Sequence, residues 1–335
     1  MVCCSLYGAS LLIRIIDLSS VHESINDKDF RIALCRLSSW GRVIYIDGLD
    51  HVILQPTFLT QRVLGELFRP EHKDFFQNGE ISVTDLRIIW SDSCSDLEDL
   101  FDDMITNLKG LLVCFAKEND DEMLVFPDFL PEFEAELESL WPAMSHAIDL
   151  ELAYGFDMDV LPQEMLGVLA AMLSGKVSHL VPWKNMAIMY SKKHQQTYAR
   201  IHATKAEFPG IEGRPKVERQ RLLIHVRGSK FGRQHAVDLL VLISDTVRRC
   251  LEGYPGIAYD EILQSCSKLE KWDDDDKPRA IYMNEDGTAT VPCDDWLLRR
   301  DIERTQLDEL AIFQGATPSK HTKGTLASPL EHLFI

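Results

Sequence analysis

An α+β fold in two parts follows from three observations on this sequence. Between His51 and Pro127 the apolar spacing runs helix, short strand, helix, helix, two-stranded hairpin, which is the order of a winged-helix-like domain. From about residue 147 the pattern becomes strand, helix, three strands and helix. That order folds as an antiparallel sheet with helices on one side, an α/β sandwich. The charge changes at the same place. Residues 1–150 hold 27 acids against 11 Lys and Arg, a balance of −16, and the remainder holds 26 against 24, a balance of −2. A chain of 335 residues has room for two domains at about 100–200 residues each. The expected organisation is an extension over 1–27, a first domain over 28–146 and a second over 147–265. A hairpin/helix extension over 266–316 and a disordered tail over 317–335 follow.

The first helix is expected between Asp29 and Ser39, with Phe30, Ile32, Ala33, Leu34 and Leu37 before a stop at Gly41. Val43–Ile46 and Val52–Leu54 flank an Asp-Gly turn and predict a hairpin. Thr57–Arg69 has Phe58, Leu59, Val63, Leu64 and Leu67 at helical spacing. Asn78-Gly79 marks a turn. Ser82-x-x-Asp85 and Ser95-x-x-Glu98 each fit a capping box, in which a hydroxyl and a carboxylate satisfy free N–H groups at a helix start. Leu111–Phe115 and Met123–Phe126 are apolar runs joined by a polar turn, the wing. Pro131–Met144 reads as an acidic, partly helical connection.

In the second half Ile148–Met158 alternates, with Leu150, Leu152, Tyr154 and Phe156 on one face. Pro162 stands at a helix start, and Gln163–Ser174 is apolar nearly all round before Gly175. Trp183–Tyr190 and Thr197–Ala203 form a hairpin that puts Arg200 and His202 on one face. Arg219–Arg227 is a strand with Leu222, Ile224 and Val226 inward and Arg221, His225 and Arg227 outward. The longest helix is Phe231–Leu251, its core stripe Ala236, Leu240, Ile243, Val247 and Cys250. Ile257–Ile262 reads as an edge strand, and Ala280–Met283 with Thr288–Val291 as a last hairpin.

Charge decides against DNA at the winged helix. The third helix, Ser95–Lys109, carries Asp96, Glu98, Asp99, Asp102 and Asp103 against Lys109 alone. Duplex binding rests on cations that neutralise phosphates. This helix is therefore expected to pack against protein. The basic stretch is Lys192–Arg233, and its candidate patch is Arg221, Arg227, Lys230 and Arg233.

Catalytic signatures are missing. No G-x-x-x-x-G-K-[ST], kinase glycine loop, G-x-S-x-G or H-E-x-x-H occurs. Gly228-x-x-x-Gly232, with Ser229, Lys230 and Arg233, lies between a strand and a helix. A plain strand-to-helix turn explains it better than a phosphate site does. His202 and His225 lie on neighbouring strands, but two histidines without a third ligand make no metal site. The eight cysteines show no zinc spacing and read as core residues of a reducing compartment. No catalytic residue, cofactor or metal is expected. No apolar stretch approaches the roughly 20 residues of a membrane span, and the chain reads as cytoplasmic.

Several phrases, in order, resemble a known family. His51-Val-Ile-Leu-Gln-Pro-Thr-Phe-Leu59, Gly79-Glu-Ile-Ser82, Gly110-Leu-Leu-Val-Cys-Phe115 and Met123-Leu-Val-Phe-Pro-Asp-Phe-Leu-Pro131 resemble the first half of the COR domain of Roco proteins. Ala153-Tyr-Gly-Phe-Asp-Met-Asp-Val-Leu-Pro162, Trp183-Lys184 and Leu222-Leu-Ile-His-Val-Arg-Gly228 resemble its second half. The likeness covers roughly residues 40 to 265, although Asn185 stands where a small residue is expected. It implies a Roc GTPase domain as partner, in cis or in trans, packed on the first half. It also implies a homodimer through the second half, with nucleotide state relayed to assembly. Roc and kinase domains are both missing from this sequence, which leaves a fragment, a split gene product or a standalone COR. The expected reading is a non-catalytic regulatory and dimerisation module. Its parent or partner would be a GTPase or a serine/threonine kinase. Candidate interface residues are Met165, Leu169 and Met172 on the first helix of the second half, and Leu239 and Leu242 on the second. The alternative, of another class, is a nucleic-acid-binding regulator that uses segment 192–233.

Overall fold

The computed structural model describes residues 12–14, 26–49, 51–93, 100–133, 141, 149–194, 196–208, 217–264, 282–283, 289–290 and 296–298. Helices and antiparallel sheets are mixed throughout, an α+β fold. Contacts divide the described residues after Pro131. Among them no helix is long and apolar enough to cross a membrane.

In the first unit, β1 (Leu12–Arg14), β2 (Ile44–Tyr45) and β3 (His51–Ile53) form a sheet in the order β1-β3-β2. Helix α1 (Asp27–Ser39) begins at Asn26, whose side chain accepts the Asp29 N–H at 2.8 Å. The next helix, α2, is composite: α-helical over Pro56–Phe58, π-helical over Leu59–Leu64, and α-helical again over Gly65–Leu67. At the widened turn the Gly65 N–H reaches back to the Thr60 carbonyl. Beside it, the Nε1–H of buried Trp90 donates to the Val63 carbonyl at 3.2 Å.

Strand β4 (Glu80–Ser82) runs directly into α3 (Val83–Ser93). The hydroxyl half of the first capping box is present: Ser82 Oγ accepts the Asp85 N–H at 3.0 Å, while the Asp85 carboxylate accepts the Ser82 hydroxyl at 2.6 Å rather than a backbone N–H. The second, Ser95 with Glu98, lies outside the described residues. The turn before β4 uses Asn78 and Gly79 at positive φ. A Cβ on Gly79 would stand 3.1 Å from the Leu130 nitrogen, so the close approach needs glycine there.

Helix α4 (Phe101–Gly110) is followed by β5 (Phe115–Lys117) and β6 (Asp120–Val125), which pair with β4 in the order β4-β6-β5. Here the expected strand Leu111–Phe115 is corrected. Leu111 and Val113 return their N–H groups to Asn107 and Leu108, and Leu112 takes φ 61°. These apolar residues close the helix, and strand pairing starts only at Phe115. Ile53, Leu59, Val63, Leu67, Ile81, Leu86, Trp90, Met104, Leu108, Cys114, Leu124 and Phe126 meet in one core.

The second unit is built on a seven-stranded antiparallel sheet. Its members are β7 (Asp149–Met158), β8 (Ser178–Pro182), β9 (Met186–Tyr190), β10 (Tyr198–Phe208), β11 (Val217–Ser229), β12 (Tyr259–Gln264) and β15 (Trp296–Leu298). They run in the order β15-β12-β7-β11-β10-β9-β8. The expected edge strand after residue 257 is therefore interior, since β15 pairs on its far side. Strand β8 has no counterpart among the expected elements. A short hairpin, β13 (Tyr282–Met283) with β14 (Ala289–Thr290), stands where one was expected.

Helices α5 (Met165–Leu173) and α6 (Arg233–Glu252) cover one face of the sheet. Leu152, Tyr154, Phe156, Leu222, Ile224 and Val226 point at them, joined by the expected α6 stripe. Phe231 lies ahead of α6 in a 3-10 turn and is 94% exposed. The acidic connection keeps Phe133 and Trp141 among the described residues, and both pack on this unit, against Trp183 and Tyr198.

Leu59 is 3% exposed in the first core and Asp102 projects from α4 into solvent. Leu59→Ala is expected to cost about 2–5 kcal/mol and Asp102→Ala no more than about 0.5 kcal/mol, read by urea denaturation. Equal losses in the two variants would mean that the first-unit core is arranged differently.

Candidate functional site

Successive side chains on a strand point to opposite faces, so the residues between the core positions of β7, β10 and β11 gather on the sheet face away from α5 and α6. On β7 these are Glu151, Ala153, Gly155 and Asp157; on β11 they are Arg219, Arg221, Leu223, His225 and Arg227; on β10 they include Arg200 and His202. Register sets the pairs: Arg221 stands opposite Asp157, and Arg227 opposite Glu151. The result is a layer of charge in which most members are buried or nearly so.

Arg221 holds Asp157 in a fork. Its Nε donates to Oδ1 at 2.5 Å and its Nη2 to Oδ2 at 3.1 Å, with both groups buried. Arg219 bridges Asp260 at 2.9 Å and Asp159 at 3.2 Å. Glu151 is held at both oxygens: His225 Nδ1 donates to Oε1 at 2.9 Å, and Arg227 Nε donates to Oε2. Burial raises the Glu151 pKa, but the hydrogen bonds and charges of His225 and Arg227 outweigh it, so the carboxyl sits below its ordinary range.

Trp141 covers the end of this layer. Its indole lies under two guanidinium groups, Arg200 at 4.9 Å and Arg227 at 4.5 Å from the ring centre, and meets Tyr198 edge-on at 5.0 Å. His202 stacks on His225, 5.4 Å between centroids. Desolvation, with Arg200 and His225 beside it, drives the His202 pKa down to about 3. Among the described residues no group of three His, Cys, Asp or Glu could hold a metal ion.

The expected basic patch is corrected by this geometry. Arg221 and Arg227 point away from the helices as expected, yet they are committed to Asp157 and Glu151 and present no stripe to phosphates. The side chains of Lys230 and Arg233 lie outside the described residues. Gly228 has a packing role: a Cβ there would stand 3.3 Å from Thr197 Oγ1 and 3.5 Å from the Ala236 Cβ.

The expected interface divides as well. Met165, Leu169 and Leu239 are core residues, because α5 lies against both the sheet and α6 and uses its apolar surface there. Met172 and Leu242, with Val168, are only partly buried and remain open to contact. Residue-by-residue reasoning missed Trp141, Glu151 and Asp157. The available signal was parity: acids at 151 and 157 match arginines at 227 and 221 once the strands are set antiparallel. Compared with known proteins, the chain matches no family model, and no curated protein matches it.

Asp157→Ala removes the carboxylate from the fork of the buried Arg221, at an expected cost of about 3–5 kcal/mol. Asp157→Leu combined with Arg221→Met should recover most of that in the same denaturation assay. A second expectation concerns acid. The folded pKa of Glu151 lies below its unfolded value, so its contribution is present above the ordinary carboxylate range. It is lost as pH falls through the folded pKa. Glu151→Gln should flatten that part of the stability–pH curve; an unchanged acid limb would show that the ion pair carries none of it.

Proposed function

We propose that this chain is a non-catalytic regulatory and dimerisation module of the Roco type, coupling the nucleotide state of a Roc GTPase domain to assembly. One observation carries the reading: the phrases that resemble COR fall in order on the framework of both units. His51–Leu59 covers β3 and the start of α2, Gly79–Ser82 covers β4, and Met123–Pro131 covers the end of β6. Ala153–Pro162 and Leu222–Gly228 are the two central, paired strands of the second sheet. The parent or partner in this reading is a GTPase or a serine/threonine kinase, and the Roc domain is supplied in cis or in trans in the cytoplasm. The buried thiols of Cys114 and Cys250, each pushed up to about 12 by burial, suit a reducing setting.

The alternative, nucleic-acid binding through segment 192–233, loses support where Arg219, Arg221 and Arg227 are ion-paired with carboxylates. A phosphate would have to displace those partners.

Self-association is assigned to the helix layer rather than to the β8 edge. That edge carries His179 at φ 48°, a register shift and Pro182, features that blunt strand addition. The full chain is expected to sediment as a dimer at tens of micromolar. Met172→Asp should return it to monomer with near-UV circular dichroism intact, whereas Leu169→Asp should unfold the second unit. A monomeric wild type at that concentration would overturn the reading. Calorimetry is also expected to find no binding of GTP or ATP; stoichiometric micromolar binding of either would refute a purely regulatory role.

A further inference from the structure

Three nitrogen atoms at one end of the charged layer are buried without a hydrogen-bond partner: Trp141 Nε1, Arg200 Nε and His202 Nδ1. Arg200 and His202 alternate on β10, and the Trp141 indole, itself 6% exposed, lies against the Arg200 guanidinium. The first two are obligate donors, since an indole N–H and a guanidinium have nothing with which to accept. Buried donors in folded proteins are nearly always satisfied, so a cluster of them in one place points to an acceptor.

Charge points the same way. Among the described residues the carboxylate at this end is Glu151, and both its oxygens accept hydrogen bonds, one from His225 and one from Arg227. Asp157, further along, is held by Arg221. Arg227 Nε bonds the Glu151 carboxylate, whereas among the described residues Arg200 Nε has no oxygen to bond. Its charged form is disfavoured by burial and by Arg227, and favoured by Glu151. The face of the Trp141 ring attracts the cation but leaves its buried Nε–H unmet. His202, held neutral by its surroundings, can carry its proton on Nδ1 and give a third donor.

We propose that Trp141, Arg200 and His202 form a binding site for a small oxyanion, a phosphate or carboxylate group, on the face of the seven-stranded sheet opposite α5 and α6. An anionic oxygen there supplies the missing acceptor beside the Arg200 guanidinium. The inference is independent of the regulatory reading; dimer formation could fail with the anion site intact.

The test uses the full chain in a phosphate-free buffer, with ionic strength held constant by chloride. Inorganic phosphate and acetate are titrated separately by calorimetry and by thermal shift, since a ligand that binds the native state raises its melting temperature. Saturable binding of at least one is expected, and the better of the two tells a tetrahedral from a planar ligand. Arg200→Gln should weaken that binding about tenfold or more, the effect of losing a charge-assisted hydrogen bond. Trp141→Phe keeps an aromatic ring by the guanidinium groups and deletes the N–H, so it should weaken binding several-fold. Lys193→Gln, an exposed change in the β9–β10 loop, should leave binding unaltered. Should Arg200→Gln fail to fold, Trp141→Phe decides alone. No saturable response to either anion, or an equal response in wild type and Trp141→Phe, would overturn the proposal.

Discussion

The pairing of β7 with β11 sets the terms for the rest of the second unit. It runs from Asp149 opposite Ser229 to Met158 opposite Gln220 without a register shift. In this register Leu152, Tyr154 and Phe156 lie beside Val226, Ile224 and Leu222, and the six make the floor on which α5 and α6 rest. The same register sets Glu151 against Arg227 and Asp157 against Arg221 on the other face. A slip of one residue would turn both sets over, placing carboxylates under the helices and aromatic rings among the arginines. Hydrophobic burial and charge pairing thus select one alignment from opposite sides of a single sheet.

A charged layer of this kind is weak evidence of stability by itself. The attraction within a buried ion pair is largely offset by the loss of hydration. What it does supply is selectivity of arrangement, because each guanidinium is matched to a particular carboxylate at hydrogen-bonding distance. Arg200 is the member that the pattern leaves over, and Trp141 is the residue that covers it. Structure and chemistry meet at this end of the layer, where the ion pairing is incomplete.

The first unit solves a different problem with short elements. Its strands are two to six residues long, too short to hold a sheet by backbone pairing alone. Stability has to come from a shared core instead, and the side chains show it. Trp90 fills that core while its indole N–H is answered by the Val63 carbonyl in the widened turn of α2. Ser82 closes the start of α3 within a residue of the end of β4. On α4 Asp102 faces outward, approached only loosely by Arg87 of α3 at 3.7 Å, whereas half-buried Asp103 lies 3.3 Å from His51 Nε2.

Much of this was legible without coordinates. Alternation identified β7 and β11, and helical spacing identified α2 and α6, because periodicity records which face of an element meets the core. The Ser82–Asp85 cap was legible because it is local, three residues of chain closing on themselves. Other features depended on contacts distant in sequence. Leu111–Cys114 has the composition of a strand, but its backbone hydrogen bonds go back to α4. Met165, Leu169 and Leu239 were indistinguishable from an interface until α5 and α6 were seen to bury them against each other and the sheet. Arg221 and Arg227 counted as free positive charge until β7 brought carboxylates alongside. The sequence by itself determined the fold class and the inward face of each strand, since both follow from the order of side chains along one segment. Only the tertiary structure decided which charges are neutralised and which apolar surfaces are covered, because each depends on a second segment many residues away.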